Sequence, residues 1–373
     1  MDIDKLLELM IEKDASDIYL SAGIPPTFRV EGKTEPITGK VLNPKDTEEL
    51  AFSLMSEKQK AIFLEEKEMN LALAPSIGRF RVSIFYQMSC IGLVIRQLKI
   101  PIQSFDQLGL PSVLKNISMA KRGLVLVVGA TGSGKSTTLA AMIDHRNSNS
   151  PGHIITIEDP VEFVHQHKRS IITHREVGLD THTFADGLKS ALRQAPDVIM
   201  IGEVRDTETM EAAITFAETG HLCLATLHAN NANQSLERII TFFPAERHEQ
   251  IYLLLSLNLK SIISQRLIPT VVEDKRIAAV EILMDTPRVK DLIFKKKITL
   301  LKEAMKKGEQ ENMQTFDQAI YNFYTQGKIS YKTALAYADS ANDLRLRIKL
   351  DTPEQEGQEE ETENKPIFRI REQ

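Results

Sequence analysis

The sequence predicts an α/β protein: a small α+β module first, then a larger domain built on a parallel sheet covered by helices. Three observations carry this. Gly129-Ala130-Thr131-Gly132-Ser133-Gly134-Lys135-Ser136 fits the phosphate-loop pattern G-x-x-x-x-G-K-[ST]. The apolar run 124–128 before it reads as a buried strand, and residues 137–143 after it read as a helix start. From about residue 112, apolar strand candidates alternate with helical stretches, whereas strands and helices mix freely before residue 100.

The chain has 373 residues, enough for two domains of ordinary size. A net charge of −5 leaves no global basic field for nucleic acid or an anionic membrane. The two cysteines, Cys90 and Cys223, are far apart, which excludes a disulfide framework or a cysteine-rich zinc site and suits a reducing cytoplasm. The start, Met1-Asp2-Ile3-Asp4-Lys5, is acidic and amphipathic, unlike a signal peptide. No apolar run is long enough to span a bilayer, so work at a membrane is expected to go through partners.

In chain order, Ile3, Leu6, Leu7, Met10 and Ile11 recur at helical spacing over residues 3–13. A short strand at 17–20 leads to a turn at Ala22-Gly23-Ile24-Pro25-Pro26, and 28–32 reads as a hairpin edge. A helical stretch covers roughly 47–66. Strands follow at 78–87, where Phe80, Val82, Ile84 and Tyr86 alternate with polar residues, and at 91–98. Residues 1–100 form the first domain, 101–113 a linker with a short helix, and 114–350 the second domain. Its strand candidates are 124–128, 153–157, 198–201 and 222–225. After Pro244 the chain reads as mostly helical, with a strand pair around 268–282. Residues 351–373 form an acidic tail, expected to be disordered: 351–364 carries seven acidic residues and no basic or aromatic one.

In the loop, Gly129, Gly132 and Gly134 let the backbone approach phosphate, and the helix N-terminus adds positive dipole. The candidate nucleotide site is Gly129, Thr131, Gly132, Ser133, Gly134, Lys135, Ser136 and Thr137. Lys135 supplies charge to the β- and γ-phosphates, and Ser136 a ligand for Mg²⁺. Three later segments bear on what is done with the nucleotide. Thr156-Ile157-Glu158-Asp159-Pro160-Val161-Glu162 clusters three carboxylates at a strand end, fit either to hold Mg²⁺ or orient water, or simply to be a solvated acidic turn. Asp197-Val198-Ile199-Met200-Ile201-Gly202-Glu203 reads as a Walker B strand with Gly202 where many P-loop proteins carry Asp. That leaves Glu203 the Mg²⁺-side or water-side role, the alternative being an ordinary buried strand. His221 and His228 bracket a buried strand; such imidazoles sense a γ-phosphate, relay subunit contacts or are merely structural.

In this order the segments resemble the P-loop, acidic box, Walker B segment and histidine box of the secretion-superfamily ATPases. Ala15-Ser16-Asp17-Ile18, Arg175-Glu176-Val177-Gly178, Leu192-Arg193-Gln194-Ala195-Pro196-Asp197 and Phe243-Pro244-Ala245 place the likeness in the PilT/PilU branch, the type IV pilus retraction ATPases. The resemblance implies a PAS-like N-terminal domain, a RecA-like P-loop ATPase domain, a homo-hexamer, and ATP with Mg²⁺ bound between the domains. It implies Glu162 as general base, Glu203 as Walker B glutamate, His221 and His228 as histidine box, and Arg81 and Arg96 as arginines near the phosphates. It also implies a cytoplasmic motor at the inner membrane, held by a pilus platform protein, with no membrane insertion and no direct nucleic-acid contact. Extension and type II secretion ATPases usually carry a four-cysteine insertion, which two separated cysteines exclude here. PilT proper carries Ala-Ile-Arg-Asn-Leu-Ile-Arg-Glu where this chain has Pro287-Arg288-Val289-Lys290-Asp291-Leu292-Ile293-Phe294-Lys295, which keeps Leu292-Ile293 and loses most of the rest. That departure, with the tail, resembles the PilU type, an accessory to a PilT-type retraction ATPase. An ATP-binding adaptor with little hydrolysis, and an extension or secretion ATPase, stand as alternatives.

Overall fold

The computed structural model describes residues 2–351 except 31, 38, 74, 99–101 and 274. Nearly all of the acidic tail, residues 352–373, lies outside the described residues, as does Glu31 of the hairpin edge.

The first sheet holds β1 (Asp17–Leu20), β2 (Thr27–Val30), β3 (Lys33–Pro36), β4 (Glu68–Leu73), β5 (Arg79–Gln87) and β6 (Cys90–Leu98). Its order is β3-β2-β1-β6-β5-β4, and every pair is antiparallel. Phe80, Val82 and Ile84 alternate inward on β5 and meet Leu93 and Ile95 of β6. Leu7 and Met10 of helix Ile3–Glu12 and Phe63 of helix Glu57–Glu66 cover that face. The stretch 47–66 forms two helices, Pro44–Leu54 and Glu57–Glu66. Ser56 ends the first run because it starts the second: its hydroxyl accepts from Gln59 N–H while the Gln59 side chain accepts from Ser56 N–H.

The second sheet holds β7 (Gly123–Val128), β8 (Gly152–Glu158), β9 (Ser170–Glu176), β10 (Val198–Ile201), β11 (Leu222–Leu227), β12 (Leu259–Pro269) and β13 (Arg276–Met284). Its order is β13-β12-β7-β11-β10-β8-β9, parallel throughout except the β12–β13 pair. Both faces are covered. Leu124, Leu126 and Val128 of β7 enter one core while Val125 and Val127 enter the other. β12 begins earlier than the strand pair expected around 268–282, and β4 and β9 lie in stretches not read as strands. Of the expected linker, residues 102–113 are firmly anchored: Phe105 and Leu110 pack with Leu139, Met142 and Ile143 in the second sheet's core.

Residues 316–351 pack helices on the outer end of β12 and β13, through Ile268, Ala279, Phe316 and Ile320. Arg266 of β12 ties this layer down. Its guanidinium lies 3.9 Å from the Phe316 ring centroid and 2.7 Å from an Asp339 carboxylate oxygen.

Candidate nucleotide site

β7 runs straight into the glycine loop, and helix Lys135–Asn149 starts directly after it. Gly134 has φ +90°, a left-handed turn, and no side chain caps the helix. The first-turn amides therefore face outward unsatisfied, a ready anion site. At Gly129 and Gly134 the loop is also too crowded for a side chain. A Cβ on Gly129 would sit 2.5 Å from the Gln265 carbonyl, and one on Gly134 2.7 Å from Gln265 Nε2. Lys135 is 9% exposed. Its ammonium donates to the carbonyls of Gly129 and Ala130, each at 3.0 Å. Burial lowers its pKa, opposed by the charges of Glu203 and Glu162.

Gln265 of β12 fastens the loop from the neighbouring strand. Its amide donates to Ser133 O at 2.8 Å, and its carbonyl accepts from Thr138 Oγ1 at 2.6 Å. No motif in the sequence pointed to it; the one available signal is a polar triplet, Ser264-Gln265-Arg266, set between the apolar pairs Ile262-Ile263 and Leu267-Ile268.

A cavity of 640 Å³ opens over this loop at the C-terminal ends of β7, β8, β10 and β11. Thr131, Gly132, Gly134, Lys135, Ser136 and Thr137 line it, and so do Glu158, Glu162, Glu203 and His228. Gly129 borders an adjoining hollow of 330 Å³ that shares His228. Ser133 is 4% exposed, and its hydroxyl has no hydrogen-bond partner among the described residues.

Glu203 leaves the end of β10. Its carboxylate pairs with Arg205 at 2.6 Å and with His228 Nε2 at 3.1 Å. Gly202 before it has a steric reason: a Cβ there would lie 3.1 Å from Glu158 Cα and 3.3 Å from Ile157 O. The Asp common at that position has no room. Glu162 is exposed on the cavity rim, while Glu158 behind it is 6% exposed. Burial pushes the Glu158 carboxyl up from 4.5 to about 7, opposed by the Thr156 hydroxyl and the Glu162 amide. Its Oε1 has no partner among the described residues. Ser136 and Glu203 offer oxygen donors beside a phosphate loop, a set that fits Mg²⁺.

Three expected site residues are not brought to this cavity. His221 precedes β11, at the opposite end of the strand from His228; its Nδ1 lies 3.0 Å from Thr219 Oγ1, and its ring stands edge-on to Phe216. A strand of that length separates the two histidines by roughly 20 Å. Arg81 and Arg96 face each other across β5 and β6 in the first sheet. Arg96 Nε donates to Asp17 at 2.8 Å, and the charge of Arg81 acts on Glu176 rather than on the loop.

A phosphate loop, a carboxylate at the end of the next-but-one strand and a parallel sheet covered on both faces define a P-loop nucleotide-binding protein. The model of the type II/IV secretion system protein family matches residues 1–332, and the chain belongs to that family. Over 351 residues it is 57% identical to the type IV pilus ATPase PilU of Pseudomonas aeruginosa, covering 94% of this chain and 92% of that protein. The type IV pilus retraction ATPase PilT of the same organism is 42% identical over 335 residues, covering 90% and 97%. Among solved structures, the pilus retraction motor PilT with bound ADP matches with a TM-score of 0.86 at 42% identity, over 93% of this chain and 99% of that one. The Legionella pneumophila ATPase DotB matches at 0.77 and 28% identity, over 89% and 93%. The family resemblance and the two-part fold expected from the motifs are borne out.

Proposed function

We propose that this chain is an ATP-hydrolysing motor of type IV pilus retraction, of the PilU kind that assists a PilT-type motor. One observation carries the reading: Lys135, Glu162 and Glu203, contributed by three separate segments, line a single cavity over an uncapped helix N-terminus. Identity of 57% to PilU, over nearly the whole of both chains, supports the accessory role.

ATP lays its phosphates on the amides of residues 131–137, and Lys135 exchanges the Gly129 and Ala130 carbonyls for phosphate oxygens. Glu162 orients the attacking water and takes its proton. Ser136 and Glu203 would hold Mg²⁺, which when bound neutralises charge on the β- and γ-phosphate oxygens. His228 keeps Glu203 oriented. Arg81, Arg96 and His221 lie outside this cavity; in our reading they act at a closed domain pair or between subunits of a homo-hexamer. The motor works in the cytoplasm, against the inner-membrane pilus platform. No helix among the described residues is long and apolar enough to cross a membrane.

The departure at 287–294 favours a second reading, an adaptor that binds ATP and supports the PilT-type motor with little turnover. Steady-state hydrolysis by the wild type and Lys135→Ala separates the readings. Turnover that vanishes in the variant supports the motor. Binding without turnover supports the adaptor, and equal rates in both proteins sink the site.

A further inference from the structure

Behind the acidic box, a line of buried and half-buried polar groups joins the nucleotide cavity to a second one. The second cavity, 710 Å³, lies between the two sheets, with Leu71, Arg79 and Phe80 on one wall and His165, His174 and Glu176 on the other. His165 lines both cavities. Its ring stacks on His174, centroids 5.7 Å apart and planes 14° from parallel.

The direction of the hydrogen bonds from His165 through His174 to Thr156 is set. The His165 backbone N–H donates to His174 Nε2 at 3.1 Å. A ring nitrogen that accepts carries no hydrogen, so the neutral imidazole holds its hydrogen on Nδ1. Nδ1 then donates to Thr156 Oγ1 at 2.9 Å. Thr156 is fully buried on β8, two residues before Glu158 and so on the same face of the strand. From that shared face its hydroxyl lowers the pKa of the Glu158 carboxyl. Glu158 Oε2 in turn accepts from the Glu162 backbone N–H at 3.4 Å.

We propose that Thr156 and His174 are positioning residues for ATP hydrolysis, acting through Glu158, whose carboxylate steadies the backbone of Glu162. The proposal rests on the ATPase reading above. Burial alone would neutralise Glu158, and the Thr156 hydroxyl and Glu162 amide work against it. Glu162 and Glu176 are the charges facing Glu158. Those facing His174 are Arg79, His167 and Asp180, and those facing His165 are Asp144 and Lys168. Arg79 belongs to β5, so the docked first sheet disfavours a charged His174 and keeps its Nε2 open to accept. The line therefore links the N-terminal module to the hydrolytic carboxylates.

Purified full-length protein tests this, with Thr156→Val, Thr156→Ser, His174→Leu and His174→Asn. Hydrolysis is followed from mildly acidic to alkaline pH, with melting temperature and binding of a fluorescent ATP analogue as folding controls. Thr156→Val is expected to lower kcat about tenfold at neutral pH. KM for ATP should stay unchanged while the acidic limb of the kcat profile moves to higher pH. Thr156→Ser should restore both. His174→Leu should follow Thr156→Val, and His174→Asn, whose amide donates where Nδ1 did, should recover part of the loss. If Thr156→Val does not fold, the His174 pair carries the same readout. A wild type that turns over ATP beside a Thr156→Val with the same kcat and pH profile overturns this proposal alone. A loss that Thr156→Ser does not restore overturns it too. A wild type without turnover overturns both readings.

Discussion

Gln265 shows how far a single side chain can act from its own segment. It sits 127 residues from Thr138 in sequence, yet it bonds both flanks of the turn that starts helix Lys135–Asn149. Gln265→Leu keeps the shape and strands two polar partners. It should cost about 1–3 kcal/mol of stability and raise KM for ATP more than it lowers kcat; thermal melting with steady-state kinetics reads both. Glu158 gives a signed pH effect. Its folded pKa is about 7 against an ordinary 4.5. Between these values the folded chain keeps a proton that the unfolded chain has lost, so stability falls as pH rises through the window. Glu158→Gln removes the liability. Its melting temperature should gain on wild type from about pH 5 to about pH 8, a difference on the order of 1–3 kcal/mol; a gap that does not widen sinks the assignment. His165 and His174 work in the opposite sense. Burial holds both at about 4 against 6.5, so their contribution is lost as pH falls from 6.5 toward 4. The loop residues, Glu162, Glu203 and His228 were legible because each sits in a local pattern. Gln265 and the tie from His174 to Thr156 were not, because each needs a register between strands that no local spacing encodes.

At the scale of elements, the strands buried on both faces were readable as unbroken apolar runs, as in β7 and β10, whose residues are all buried. β9 escaped because it is an edge strand reading Ser-Ile-Ile-Thr-His-Arg-Glu, with three of its residues only half-buried. The start of β12 escaped for another reason. Leu253, Leu254, Leu255 and Leu257 lead into it at a density that suits a helix. The helix ends at Asn258, and Ser261, Ser264 and Gln265 spend their polar groups on neighbours instead. Ser264 donates to Glu281 Oε1, which also accepts from the Ala232 amide at the start of the helix after His228. The split of 47–66 turns on Ser56. Ser56→Ala should cost about 1 kcal/mol, seen as a lower urea midpoint with unchanged slope.

For the whole molecule, the boundary between the two modules carries its own consequence. The first sheet has a core of its own, and Phe105, Leu110, Leu114 and Ile117 all belong to the second. A fragment of residues 102–351 should be soluble and bind a fluorescent ATP analogue. One that starts at residue 120 loses those four side chains, each worth roughly 1.5–3 kcal/mol when buried, and should aggregate or melt early.

β12 reaches across this whole domain. Successive side chains on a strand point to opposite faces. Gln265 therefore touches the phosphate loop while Arg266, its neighbour, grips Phe316 and Asp339 in the C-terminal helical layer. One peptide unit separates the two grips, and β7 and β13 brace the strand on either side. The phosphate loop and the C-terminal layer are therefore coupled through very little intervening chain. One braced strand thus ties the nucleotide cavity to the C-terminal helical layer.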